Sequence, residues 1–168
     1  ITLPMEATYY NRLRNTQGNT NVLDVFVPPW ASQFLMIVQV EAKWDGQIND
    51  MLMSALSGPN LHVKTVIAVD EDVDIYNAED ILWAVATRCD PEQHVRIQPG
   101  SRLHPLDAII PEIGDEYTVM RIGGKMGIDA TKPATWRKEE RQKFTRVDPM
   151  GKGEAAIERL LEMVRQPR

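Results

Sequence analysis

Val66-Ile67-Ala68-Val69-Asp70-Glu71-Asp72-Val73-Asp74-Ile75-Tyr76-Asn77-Ala78-Glu79-Asp80-Ile81-Leu82-Trp83-Ala84 is the stretch from which the fold is read. An apolar run meets six carboxylates within eleven residues, and an amphipathic helix starts at once. A near-continuous apolar run fits a strand covered on both faces. Such a strand, ending in acid and turning into a helix, places carboxylates at one edge of a sheet. In open α/β folds the ligand-binding crevices lie at the carboxyl ends of strands. Asp70, Asp72 and Asp74 have the one-three-five spacing that opens an EF-hand loop, which also needs glycine at position six and glutamate at twelve. Ile75 and Ile81 stand there instead, and that reading fails. What remains is a strand end offering carboxylates to magnesium, or a structural junction. In the junction reading Asp72 and Asp74 hold the turn, while Asn77, Glu79 and Asp80 favour the helix N-terminus.

Outward from this stretch the chain keeps a βα rhythm. Met5 to Arg14 has weak helical spacing, and Gln17 to Asn21 is a loop by composition. Val22 to Val27 reads as a strand stopped by Pro28-Pro29, and Phe34 to Val40 as a buried one. Asp45 can cap a helix to about Ser57, stopped by Gly58-Pro59, with Ile48, Met51, Leu52, Ala55 and Leu56 on one face. Val63 to Val69 is the next strand, Asn77 caps the helix after it, and Val95 to Ile97 is a short strand. Pro99 to Asp115 is a proline-rich connection, Tyr117 to Ile122 a strand, and Glu154 to Arg165 a helix with Ile157, Leu160, Leu161 and Val164 on its apolar face. The order predicts an α/β, three-layer open sheet, largely parallel or mixed, built from βαβ units with a protruding C-terminal helix. Residues 1–150 form the α/β domain and 151–168 the helix, a candidate oligomer contact.

Composition narrows the function classes. The chain has 168 residues, enough for one domain with a real core, with 43% hydrophobic and 26% charged residues. A net charge of −5 argues against nucleic acid, which draws a basic stripe. No apolar run reaches the length of a membrane span. The single Cys89 cannot form an internal disulfide, which fits a cytoplasmic location. The chain opens on Ile1 and reads like the middle of a protein, so a fragment with upstream domains absent is expected.

Other motifs are weaker. Gly123-Gly124-Lys125-Met126-Gly127 offers backbone that can approach a ligand and a lysine that can meet phosphate, but it lacks the P-loop pattern. By spacing alone it reads as a hairpin turn. His62, His94 and His104 are scattered and suggest surface or loop positions, Cys89 lacks a local histidine, and Trp83 reads as core. The run Arg137 to Lys143 is mixed in sign and reads as a solvated stretch.

Taken together, two segments do more. Val69-Asp70-Glu71-Asp72-Val73-Asp74-Ile75-Tyr76, with Ile81 to Arg88 after it, closely resembles a signature of the UbiD-family decarboxylases. Gly124-Lys125-Met126-Gly127-Ile128-Asp129-Ala130-Thr131-Lys132 resembles that family's later signature, and Val25 to Pro29 and Met53 to Leu56 look like family positions. The resemblance runs from about Leu3 to Thr131. Lys132-Pro133 departs from the Arg-Lys that often follows Asp-Ala-Thr.

The resemblance implies a non-oxidative, reversible decarboxylase of aromatic or α,β-unsaturated acids. Such enzymes use prenylated FMN, with manganese or magnesium and potassium beside its phosphate. The flavin serves as electron sink, and a glutamate–arginine–glutamate network handles the proton. Catalytic residues and most metal ligands belong to family segments upstream, so no catalytic or metal residue is expected in this chain, and alone it is expected to be inactive and to bind no cofactor. The C-terminal domain of such enzymes closes over the flavin site and helps to form a dimer. Lys125 is the one residue carried over, as a contact to the cofactor phosphate. The Arg102 to Leu106 loop could border the substrate pocket. Two alternatives stand beside this: a non-catalytic subunit or assembly module, and a magnesium-binding receiver-like domain.

Overall fold

The computed structural model describes residues 2–44, 46–58, 60–114 and 120–133, with Glu139, Lys143 and Phe144. The first helix, α1 (Thr2–Tyr10), continues into a wider-wound turn at Asn11–Thr16. Strand β1 (Val22–Phe26) leads through Pro28-Pro29 to β2 (Leu35–Val40), helix α2 (Gln47–Leu56) and strand β3 (Thr65–Asp70). Helix α3 (Ala78–Arg88) and the single turn α4 (Pro91–His94) precede β4 (Val95–Leu103), the two-residue β5 (Glu112–Ile113) and the long β6 (Met120–Ala130).

The strands form one mixed sheet in the order β1-β2-β3-β6-β4, with β5 also on β6. At its centre β2, β3 and β6 run parallel; β1, β4 and β5 are antiparallel to their neighbours. The unit β2-α2-β3 is the βαβ motif that the sequence rhythm predicts.

Alternation along each strand sorts two cores. Met36, Val38, Val66 and Ala68 point toward α1 and α2, where Tyr9, Leu13, Met51, Leu52 and Leu56 cover them. Ile37, Ile67, Val69 and Ala130 point the other way, toward Ile81 and Ala84 of α3. That is the expected three-layer arrangement. Gly127 of β6 lies under α2: an added Cβ would sit 3.4 Å from Leu52 Cβ and Leu56 Cδ1, so glycine lets the helix approach closely.

Several local expectations change. The Gly-Gly-Lys run is no hairpin turn but the interior of β6. Strand β4 runs on past Ile97 through a register shift at Pro99-Gly100, where Gly100 takes a left-handed φ of 66°. The residue that starts α2 is Gly46; Asp45, the expected cap, lies outside the described residues. So do the helix at 154–165, most of the run 137–143 and residues 117–119 of the expected strand.

Leu52 is buried between α2 and β6. Leu52→Ala is expected to lower stability by about 3 kcal/mol through lost burial and a residual cavity. Urea denaturation measures this, and a loss below about 1 kcal/mol would show that the site collapses around the smaller side chain.

Candidate functional site

Strands β2, β3 and β6 end together at one edge of the sheet, and the acidic stretch follows β3 there. Asp70 is fully buried. Its Oδ2 accepts from Arg88 Nη1 at 3.1 Å and from the Lys132 backbone N–H at 2.5 Å. Arg88 also forks onto Asp72, Nη1 to Oδ1 at 3.0 Å and Nη2 to Oδ2 at 2.9 Å. Lys132 Nζ lies 2.8 Å from the same Asp72 Oδ2. The Arg88 guanidinium sits 4.8 Å from the Trp83 ring centroid and donates to the Phe144 carbonyl. Two acids and two bases thus lock the ends of β3, α3 and β6 together.

The remaining acids shape the turn. Asp74 Oδ1 accepts from Tyr76 N, and Asp80 Oδ2 accepts from Asp74 N. Asn77 Oδ1 accepts from Glu79 N and caps α3 as predicted. With Asp70 and Asp72 engaged by Arg88 and Lys132, the magnesium reading loses its carboxylates. Among the described residues no group of three or more His, Cys, Asp or Glu could hold a metal ion.

Beside this edge, against the start of α2, lies a cavity of about 270 Å³ lined in part by Ile48, Asn49, His94, Arg96, Asp129 and Thr131. Its polar groups largely satisfy one another. Arg96 Nε donates to Asn49 Oδ1 at 2.8 Å, and Asp129 Oδ1 accepts from Thr131 N and Oγ1. His94 Nδ1 accepts from Asp90 N. Among the described residues lining it, none pairs a nucleophile with a base. Cys89, at the end of α3, has its thiol pushed above the ordinary value by burial and then by Asp129 and Asp90, which keeps it a thiol.

Lys125 is at the opposite edge, beside the start of β3. It is buried, and its Nζ donates to the Leu56 carbonyl at 2.8 Å, at the C-terminus of α2. Arg12 Nη2 donates to the next carbonyl, Ser57 O, at 3.2 Å. Two cations therefore meet the negative end of that helix. Burial, with the Arg12 charge behind it, lowers the Lys125 ammonium from its ordinary value.

Two features escape the sequence reading. Arg88, seen there only as part of a signature, is the centre of the charge network. His62 and His104, expected as separate surface or loop residues, stack with ring centroids 3.7 Å apart and planes at 22°. No local pattern links residues so far apart in the chain.

Residues 1–130 match the family described as the 3-octaprenyl-4-hydroxybenzoate carboxy-lyase C-terminal domain, UbiD_C, and the chain belongs to this family. An anhydromevalonate phosphate decarboxylase of Archaeoglobus fulgidus is 34% identical over 131 residues, covering 78% of this chain and 28% of that protein. Apo 3,4-dihydroxybenzoic acid decarboxylase (AroY) of Klebsiella pneumoniae superposes with a TM-score of 0.71 at 30% identity, over 87% of this chain and 30% of that one. The UbiD-class enzyme HmfF of Pelotomaculum thermopropionicum, in complex with FMN, gives 0.69 at 29% identity, over 85% of this chain and 29% of that one. The chain thus spans less than a third of each of these relatives.

Burial pushes the Asp70 carboxyl up to about 6, against the Lys132 N–H and the charges of Lys132 and Arg88. Burial also pushes Asp72 upward, but its bonds from Arg88 and Lys132 outweigh that and hold it below the ordinary value. The signs are opposite. Asp70 contributes stability that is full below its ordinary 3.8 and lost as pH rises through about 6. Asp72 contributes stability present above its ordinary value and lost as pH falls through its depressed one. Carboxyl ¹³C titration is expected to show an Asp70 midpoint near 6 and Asp72 ionising well below it; an Asp70 midpoint at or under 3.8 would show that pairing outweighs burial. Arg88→Met, which strands both carboxylates, is expected to cost about 3–5 kcal/mol at neutral pH in chemical denaturation.

Proposed function

We propose that this chain is the C-terminal part of a non-oxidative, reversible decarboxylase of aromatic or α,β-unsaturated carboxylic acids, acting in the cytoplasm. Its task there is to close over a prenylated flavin site and to help pair two subunits. One observation carries the reading. The two signature segments sit on the neighbouring parallel strands β3 and β6, and Lys132 N–H of the second is bonded to Asp70 of the first. The signatures thus form one structural unit, and FMN in the complex of the related HmfF supports a flavin.

The described residues do not make a flavin cradle. Lys125 is a single buried cation with one N–H directed at Leu56 O, which leaves two N–H donors for a phosphate oxygen. One point charge can meet a phosphate but cannot enclose a cofactor. In this proposal no step of the decarboxylation falls on this chain, and the glutamate–arginine–glutamate network and the manganese or magnesium and potassium sites lie upstream. When bound, the flavin supplies the electron sink for CO₂ loss. The role of this chain is to present a rigid α/β face to that site, with Lys125 as its proposed contact to the cofactor phosphate.

The full-length polypeptide, made together with a flavin prenyltransferase, is expected to purify with flavin absorbance and to release CO₂ from an acid of this class. The 168-residue chain alone is expected to be colourless and inactive. A full-length protein that binds no flavin under those conditions overturns the proposal. Lys125→Met in the full-length protein separates the two roles of that lysine. Loss of the helix-end contact is expected to cost about 1 kcal/mol of stability. Flavin retention that falls several-fold in a still-folded variant supports the phosphate contact, and unchanged retention removes it.

A further inference from the structure

The stacked histidines stand beside an open cleft of about 860 Å³ whose lining includes Phe34, His62 and Leu106. Ser32 and Gln33 also line it, both with left-handed φ, 50° and 68°. Non-glycine residues in that region are strained and persist where the surroundings impose it. Leu106 belongs to the turn from His104 to Asp107, in which Asp107 N donates to His104 O and Leu106 N to His104 Nδ1 at 3.1 Å.

Hydrogen-bond partners fix the ring tautomers. Asn60 Oδ1 accepts from the His62 backbone N–H at 2.9 Å, so that atom is an oxygen, and it lies 2.8 Å from His62 Nδ1. His62 Nδ1 therefore carries hydrogen, and its Nε2 is the bare nitrogen. Leu106 N–H can only donate, so neutral His104 is bare at Nδ1 and protonated at Nε2. The two stacked rings are thus locked in opposite tautomers. Burial, and then the His104 ring, pushes His62 below the ordinary histidine value.

We propose that this pair is a proton-sensitive latch beside the cleft, acting through Leu106. The bare His104 Nδ1 holds the Leu106 N–H and keeps the apolar Leu106 side chain at the cleft. A proton on His104 must go to Nδ1, which turns the acceptor into a donor, ejects the Leu106 N–H and puts a cation against the His62 ring. The other charged groups meeting here set the limits of the motion. From the approach to β3, Lys64 Nζ bonds both carboxylate oxygens of Asp107, at 3.0 and 2.8 Å. From β6, Arg121 donates to Pro105 O, Ile110 O and Glu112 Oε1, and Arg102 is exposed on β4 two residues before His104. Cations thus approach from three elements, with Asp107 and Glu112 opposing them. A further cation adds repulsion, yet the Lys64 and Arg121 anchors involve no imidazole. Release is confined to the His104–Leu106 turn. The closed turn leaves no room for a hydrogen on His104 Nδ1, so protonation there opens it.

The test is NMR on the intact ¹⁵N-labelled chain between about pH 8 and 5, the range in which imidazoles change charge. Long-range ¹H–¹⁵N spectra at the upper end are expected to show His62 in the Nδ1–H tautomer and His104 in the Nε2–H tautomer. On acidification the Leu106 amide shift is expected to follow His104. Its exchange protection, corrected for intrinsic rates, should fall by up to about tenfold per pH unit below the midpoint. In His104→Asn, where Oδ1 takes the place of Nδ1 and does not titrate, the Leu106 amide is expected to be flat. The same tautomer at both rings, or a Leu106 amide that ignores His104, overturns the latch. So does a His104→Asn chain that responds like the unchanged one. The tautomers and the Leu106 titration are read on the unaltered chain, so the outcome does not depend on a variant folding.

Discussion

Everything at the carboxyl edge of this sheet depends on one guanidinium. Arg88 closes α3 by reaching Asp70 at the end of β3, and Asp72 beyond it, while Lys132 completes the group from the end of β6. Removing charges from water is costly, and the cost is recovered only when nearly every polar atom finds a partner. Here the two carboxylates take their bonds from the guanidinium, the Lys132 N–H and the Lys132 ammonium, while among the described residues Arg88 Nε has no hydrogen-bond partner. The arrangement has little tolerance for a shift of any one element. It therefore specifies the register of three elements more than it adds stability, a role for which buried ion pairs are suited.

The sheet edges obey a related constraint. Strand β1 could pair with another chain, but side chains of the first helical segments occupy groups along it. Arg14 donates to Val22 O, and Glu6 accepts from Val27 N just past its end. At the other edge β4 carries Pro99, which has no N–H to donate, and the bulge at Gly100. The sheet is thus guarded against unplanned strand addition. Apolar side chains on its surface, Ile97, Ile113 and Ile122, remain exposed.

What the sequence revealed, and what it hid, divides by range of interaction. Asn77 as a cap, the buried strands at β2 and β3, and the acid turn between β3 and α3 rest on periodicity and short-range bonding, and each is found as read. Glycine misled at 123–127 because a turn and a close approach call for the same residue. The contact that explains Gly127 comes from Leu52 and Leu56, about seventy positions away. The extent of β4 was missed for a similar reason, since Pro99-Gly100 breaks a strand in isolation but only bulges one that β6 already holds. Arg88 and the His62–His104 stack are contacts of distant residues, which no local spacing can announce.

The position of Lys125 bears on how such a domain can face a cofactor. Ligands of open α/β sheets gather at the carboxyl ends of the strands, and at that edge this chain has a self-satisfied cavity and a closed salt-bridge network. Lys125 is at the other edge, under the C-terminal end of α2. A lysine placed there without a ligand has a complete structural purpose, since helix carbonyls want a cation. Its burial has a further consequence, because it lowers the affinity for the proton and makes any added negative charge nearby more favourable. An approaching phosphate would therefore strengthen the ammonium form that also caps α2. On the proposed contact, structural and binding roles reinforce each other, and α2 is better held with the phosphate in place than without it.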